Sequence, residues 1–516
     1  MMLPGSDYRQ AQSQQYHGAY QQILQDQLNA TINYLHQMPR EKIRKHLRSF
    51  ITLLNEAQRY ETLQDQIMTL ITTLHPMPLR WGYGTQWESQ LQFVLEHSST
   101  AATQAQYQND LADLQFYGGN IEAARQSAEK ILVSKDPPIS ELARALRILF
   151  TSYRALGQPQ TASQIFQKFS AIFEADRSAK NVPLKKATAW LRFKQNQLEL
   201  LREQGKTSDA LTLVEEMIWL DQQHSSQDAL LTAELLTHRS TLLWATGIYQ
   251  RAIDDLQHAI QLFQSEDDFF NAESLMSNLG LVYWSMGKLD QAEECLQRAI
   301  QFYRKSALYQ LVTYDIGNLG LVYLARGDLD QALYWTKEHV AHCQKIGFMP
   351  EQHRGHRNLG VIAFYFQDYE TVLQETNIAH TYFENHGSRT GFGLDILYTA
   401  MTKHHLGQSA IARQKMLEVL DLSKKIDSPI LEQATLRCLA YISNTVESVP
   451  LLEKSLEMAR QMDRSFDAAA CLLALAACQS DESLWQQGVH ILEGIGAGQW
   501  VEKHTIHNPP FLPFLI

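Results

Sequence analysis

Five cysteines in 516 residues (Cys295, Cys343, Cys438, Cys471 and Cys478), none in a C-x-x-C pair, exclude a disulfide-stapled framework and a zinc ribbon. Scattered in odd number, they read as free thiols in a reducing compartment. Positive charge is not in excess: 45 Lys and Arg stand against 56 Asp and Glu, a net charge of −11. Basic residues gather only in short pieces such as "REKIRKHLR" (40–48), so no nucleic-acid partner is expected. No stretch reaches about 18 apolar residues, and "MMLPGSDYRQAQSQQ" lacks the charged-then-apolar pattern of a secretory signal. The expectation is a cytoplasmic protein with no membrane partner, in which the sequon Asn29-Ala30-Thr31 carries no meaning. Strand-like alternation is also missing.

What the sequence does have is repetition. "NLGLVYWSMGKLDQA" from Asn278 returns as "NLGLVYLARGDLDQA" from Asn318, and Asn358-Leu359-Gly360 follows. Gly247, Gly287, Gly327 and Gly407 fall at 40-residue steps (287 − 247, 327 − 287, and 407 − 327 = 80), with Gln367 in the missing slot. Five residues after each sits a small apolar residue: Ala252, Ala292, Ala332, Val372, Ala412. The pair recurs upstream with looser spacing as Gly119/Ala124, Gly157/Ala162 and Gly205/Ala210. Such a period is the mark of a solenoid.

Each unit reads as two helices. Leu279, Tyr283 and Met286 share one face before the anchor glycine; Leu289, Ala292, Leu296, Ala299 and Ile300 share one after it. Gly280 and Ala292 are small where the two helices should cross. The anchor glycine should end the first helix in a left-handed conformation. Prolines 76, 78, 137, 138, 159, 183, 350, 429 and 450 all fall between the helices so drawn.

Small-Gly-x-x-Tyr in the first helix, a turn glycine and Ala in the second resemble the tetratricopeptide repeat (TPR). That repeat is commonly about 34 residues; the longer unit here implies helices of roughly 15 residues, about 22 Å. The expected fold is all-α, a right-handed TPR superhelix of about ten helix pairs. Its parts would be an irregular helical N-terminal cap (1–104), divergent repeats (105–228), regular 40-residue repeats (229–424), degenerate C-terminal repeats (425–500) and a Pro-rich apolar tail (501–516). The "W-G-Y-G-x-x-W-x-x-x-L" piece from Trp81 resembles the stretch that joins ATPase and TPR sensor in bacterial STAND-type signalling ATPases and related transcription activators. No ATPase module is expected in this chain, which would then be the sensor half alone or work with a motor encoded elsewhere. Gly205-Lys206-Thr207 has Leu200 where a phosphate loop needs glycine, and it occupies an anchor turn.

No enzyme is expected, and no cofactor or metal. His339-Val-Ala-His342 lacks the glutamate and spacing of H-E-x-x-H, and no G-x-S-x-G occurs. A helical array also offers no strained loop on which to mount a nucleophile.

Binding is therefore the expectation, with a protein or peptide as partner. In a TPR array the first helices line the concave side, and counting from Gly280 puts Asn278, Asn318 and Asn358 in register there. An amide both donates and accepts, so such a column can hold the backbone of an extended peptide. The "Asn-Leu-Gly" triplet resembles kinesin light chains and Leu-Gly-Asn-repeat spindle adaptors, and the resemblance implies that role for the asparagines. The plainer alternative is a tolerated polar residue copied by duplication. Trp244, Trp284, Phe364 and His404 share a second lining position, suited to anchoring apolar side chains or to packing on the next helix. Arg354 and Arg357 make a cationic spot for an acidic group or simply a solvated face.

"HNPPFLPFLI" (507–516) is too apolar to hang in water. It is expected to cover the exposed face of the last repeat, with docking to a partner or to the groove as the alternative. The function that follows is a non-enzymatic peptide-binding scaffold or adaptor in bacterial regulation or signalling. The alternatives are an effector sensor that changes superhelix shape, or a purely structural scaffold.

Overall fold

The computed structural model describes residues 5–134, 136–158, 160–165, 167, 184–203, 206–223, 228–386 and 389–514. Among them the chain is helical throughout, with one isolated bridge, Thr505–Asn508, and no strand. Nine complete helix pairs follow one another from Ala101 to Gly494. Ile139–Ala155 begins a further pair whose second member lies largely outside the described residues, as do Pro159, Pro183 and Gly205.

The regular repeats turn every 20 residues. Left-handed residues stand at Gly247, Asp267, Gly287, Ala307, Gly327, Gly347, Gln367, Gly407 and Asp427. The anchor glycines close the first helices as expected; Asp267, Ala307 and Asp427 close second helices in the same conformation, although a Cβ there costs roughly 1–2 kcal/mol. Asp268 and Asp328 then start the next helices by accepting from the N–H of Asn271 and Gln331. The helices between these turns run 17 or 18 residues, longer than the roughly 15 read from the pattern. The proline reading is corrected at four positions. Pro78 lies in Met77–Arg80; Pro350 and Pro429 sit in the first turns of Met349–Tyr365 and Pro429–Ile442, where the missing N–H has no partner to lose. Pro450 lies inside Thr445–Gln461, where one bond of the ladder is given up.

The two helices of a repeat differ because their surroundings differ. Leu289–Lys305 buries Leu289, Ala292, Leu296, Ala299 and Ile300 on one stripe and leaves Asp290, Glu294 and Gln297 in water. Phe269–Ser285 is buried on most sides, since it touches both neighbouring second helices and also the first helices of adjacent repeats. Contacts between successive first helices (Ala229–Ala245, Phe269–Ser285, Tyr309–Arg326, Met349–Tyr365, Arg389–His405, Pro429–Ile442) mark them as the inner layer. Crossing is close at the expected glycines: a Cβ on Gly280 would meet Leu296, on Gly320 Thr336, and on Gly360 Thr376, all within 3.0 Å.

Successive turns of the coil touch. Gly119 lies against Ile346, and Ile121 and Ala155 pack on Phe348. Further along, Gly247 meets Met462, Gly287 meets Ile495, and Arg464 donates to the Tyr249 hydroxyl at 3.1 Å. The N-terminal helices join the same stack: Arg40 pairs with Asp267 at 2.8 Å, and Gly82 sits on Phe302 and Ser306. Trp81 and Trp87 of the "WGYGTQW" piece are buried in the core of this N-terminal bundle.

Candidate peptide-binding groove

The inner layer brings the three asparagines into register, each one repeat from the next. Asn278 is half-buried, whereas Asn318 and Asn358 are buried. Asn318 Oδ1 accepts from Arg354 Nη1 at 3.1 Å, across two adjacent first helices. Arg354 also donates through Nε to Glu351 at 2.6 Å. Burial opposes ionisation of Glu351, but Arg354 and His339 beside it outweigh this and hold its carboxyl down at about 2. Arg357 is turned away from the asparagines: it is buried, donates to Asp395 at 2.6 Å and lies 4.4 Å over the Phe383 ring.

A polar cluster unnoticed in the sequence lies beside this column. Ser277 Oγ donates to Asp315 Oδ2 at 2.7 Å, and the Tyr303 hydroxyl stands 3.3 Å from the serine. Burial pushes the Asp315 carboxyl up to about 8, against the pull of Ser277 and Arg354. Asp315 Oδ1, both polar atoms of Gln310 and Asn358 Nδ2 are buried without a hydrogen-bond partner. His339, fully buried between Gly317 and Gly355, also keeps an unpartnered Nδ1. The clue available in the sequence was one acid, Asp315, in the middle of a helix, "YQLVTYDIGNLGLVYLAR", whose one other charge is Arg326 at its end.

The aromatic lining residues stitch repeats together. Trp244 donates its indole N–H to Ser285 Oγ at 2.7 Å, and Trp284, which is buried, donates to the Leu321 carbonyl at 3.3 Å. Phe364 is buried with its ring 5.8 Å from Tyr398. His404 is half-buried, its Nδ1 3.0 Å from Ser409 Oγ.

The segment after the last helix goes elsewhere than expected. Its start, Gly498–Trp500, stays against Glu482–Gly494, and the rest runs back over earlier first helices, the groove course given above as the alternative. Trp500 donates to the Ala325 carbonyl at 2.9 Å, and Phe511 packs on Phe364 and Tyr441. Leu512 is buried, and Phe514 lies against Tyr398. Arg437 Nη2 donates to the carbonyls of Leu512 and Pro513.

The tetratricopeptide-repeat family model matches residues 231–305 and 271–345, the stretch that holds Asn278 and Asn318. The chain carries tetratricopeptide repeats. Among solved structures, a Rap protein complexed with competence and sporulation factor superposes on this TPR array with a TM-score of 0.53 at 15% identity, covering 69% of this chain and 97% of that one. Aspartyl phosphate phosphatase F from Bacillus subtilis aligns with a TM-score of 0.41 at 12% identity, over 72% and 97% of the two chains. The human IFIT1 dimer with m7Gppp-AAAA gives 0.39 at 13%, over 80% and 94%. No curated protein matches the sequence. At these identities the likeness is one of fold. Among the described residues no three His, Cys, Asp or Glu side chains gather as metal ligands, and no helix is long and apolar enough to cross a membrane.

Proposed function

We propose that the chain is a non-enzymatic protein- or peptide-binding scaffold whose partner lies extended along the inner layer of the TPR array, in bacterial regulation or signalling. The observation that carries this reading is the column Asn278, Asn318 and Asn358 on the inner layer, whose helices also hold buried polar atoms without a hydrogen-bond partner among the described residues, namely both polar atoms of Gln310, Asp315 Oδ1 and Asn358 Nδ2. A buried donor or acceptor left unpaired costs about 1–3 kcal/mol. A peptide main chain supplies a donor and an acceptor at each step, so it suits such a stripe. The Rap protein of similar fold, seen with competence and sporulation factor, supports a ligand-binding role for this architecture. The bacterial setting rests on the STAND-like piece at Trp81.

The test is affinity capture from the native host with wild type and an Asn278→Ala/Asn318→Ala/Asn358→Ala variant matched by circular dichroism. A partner held only by wild type supports the asparagine column. A partner held equally by both rejects it.

The stacked turns favour a second reading, an effector sensor. With Gly119 on Ile346 and Gly247 on Met462, a ligand entering the inner layer has to open the coil. Small-angle scattering would then show the radius of gyration rising when a captured ligand is added. An unchanged radius would rule this reading out.

A further inference from the structure

We infer that residues 507–514 are a built-in ligand: they fill a peptide site on the inner layer between Met349 and Ile442, which takes a proline-interrupted aromatic peptide from a partner once they leave. The inference rests on the reading that the inner layer is the binding face, and it gives the ligand class for its later repeats.

The way the segment is held is that of a bound peptide. Arg437 reaches the main-chain carbonyls of Leu512 and Pro513, a contact indifferent to side chains. The rings of Phe511 and Phe514 enter a nest made by Phe364, Tyr398 and Tyr441, with centroids 4.9–6.0 Å apart, and this contact selects sequence. Arg437 further lies 4.7 Å over the Phe514 ring. Pro509, Pro510 and Pro513 have no N–H, so the segment brings few donors into a site whose gift is a donor. Carbonyls and rings are what the site recognises.

Part of the site holds together without the segment. Arg437 has an ion pair that does not involve the segment: it donates to Asp467 at 2.7 Å, a carboxylate it shares with Arg464, also at 2.7 Å. Removing residues 507–514 therefore takes two carbonyl acceptors from Arg437 and leaves its pair with Asp467 in place. The connection that must move is exposed at Glu502, Lys503, Thr505, His507 and Asn508. Trp500, fixed on Ala325, keeps the segment tethered at an effective concentration in the millimolar range. A competing peptide meets that tether first.

The experiment measures fluorescence anisotropy of a labelled peptide of sequence HNPPFLPF (His507–Phe514) with the intact chain and with a chain lacking residues 507–516. The shortened chain should bind at least tenfold more tightly than the intact one, and Arg437→Gln in the shortened chain should abolish binding. A shortened chain that melts cooperatively yet ignores the peptide overturns the inference, as does equal binding by intact and shortened chains or binding that survives Arg437→Gln. If the shortened chain does not fold, the intact chain carrying Phe511→Ser and Phe514→Ser takes its place under the same criteria. Failure of that variant to fold would make the segment a structural part and overturn the proposal too. The triple asparagine variant keeps the two ideas apart. It should bind HNPPFLPF normally even where it loses its captured partner.

Discussion

Gly119 approaches Ile346 so closely that a Cβ on the glycine would lie 3.1 Å from Cγ2 of the isoleucine, one turn further along the coil. The anchor glycines thus do two things. They end a helix in the left-handed region, and they let one turn of the array rest on the next.

The two roles separate by substitution. Gly119 and Gly407 have similar left-handed backbones (φ 89° and 82°), but nothing lies within 4 Å of a Cβ on Gly407. Alanine at either position should cost about 1 kcal/mol through the backbone. Gly119→Ala should cost a further 1–2 kcal/mol or so, as overpacked contacts do. Urea melts of the two variants give the comparison. Equal losses would mean that the turns do not press on each other in solution.

This double use also explains what could be read from the sequence. The 40-residue spacing of Gly247, Gly287 and Gly327 was legible because glycine takes the left-handed turn at least cost, though Gln367 fills one such slot, and Gly280 because Leu296 leaves no room for a Cβ. The half-period was not, since Asp267, Ala307 and Asp427 accept the same left-handed backbone with unlike side chains. The asparagine column was legible as a register. Its surroundings were not: Ser277, Asp315 and His339 come from three different helices, and only stacking brings them beside the column. Trp284 and Phe364 occupy the expected position, yet one-sequence reasoning left open whether they face a ligand or the next repeat. Trp284 meets the next repeat at the Leu321 carbonyl, whereas Phe364 meets both Tyr398 of the next repeat and Phe511 of the C-terminal segment.

Arg357 and Arg354 share a helix but should respond differently to truncation. Arg357→Ala leaves Asp395, which is fully buried, without its cation, and should cost about 3–5 kcal/mol. Arg354 is partly exposed, and Arg354→Ala removes hydrogen bonds to Asn318 and Glu351 for about 1–2 kcal/mol. Denaturant midpoints should rank wild type above Arg354→Ala and that above Arg357→Ala. If the two variants melt together, the Arg357–Asp395 pair is not a buried structural pair.

The thiols should be slow to react. Burial pushes Cys438 up to about 12 and Cys471 to about 11, and the half-buried Cys295 also reaches about 11. Since the thiolate is the nucleophile, iodoacetamide at pH 7.5 should leave all three unmodified in the folded chain over an hour and label them in urea. Mass spectrometry of peptides reads the result. Rapid labelling of Cys438 in the native chain would show that the Pro429–Ile442 helix opens.

Asp315 gives the fold a dependence on pH. Folded, its carboxyl keeps its proton up to about pH 8, because burial disfavours the charge despite Ser277 and Arg354 nearby. Unfolded, it ionises at about pH 3.9. Between those values the folded chain binds the extra proton, so stability falls as pH rises through this window. The contribution is fully present below about pH 4 and gone above about pH 8. The Tyr303 hydroxyl nearby is itself pushed well above its usual range and adds no charge in the window. Asp315→Asn keeps the shape and cannot titrate, so its melting temperature should gain steadily on wild type between pH 5 and about pH 8 and level off above that. Subtraction against wild type removes the contributions of Glu351 and the other carboxylates. A difference that stays constant over that range would mean that Asp315 is already ionised in the folded chain, with water or a ligand reaching the Ser277 cluster.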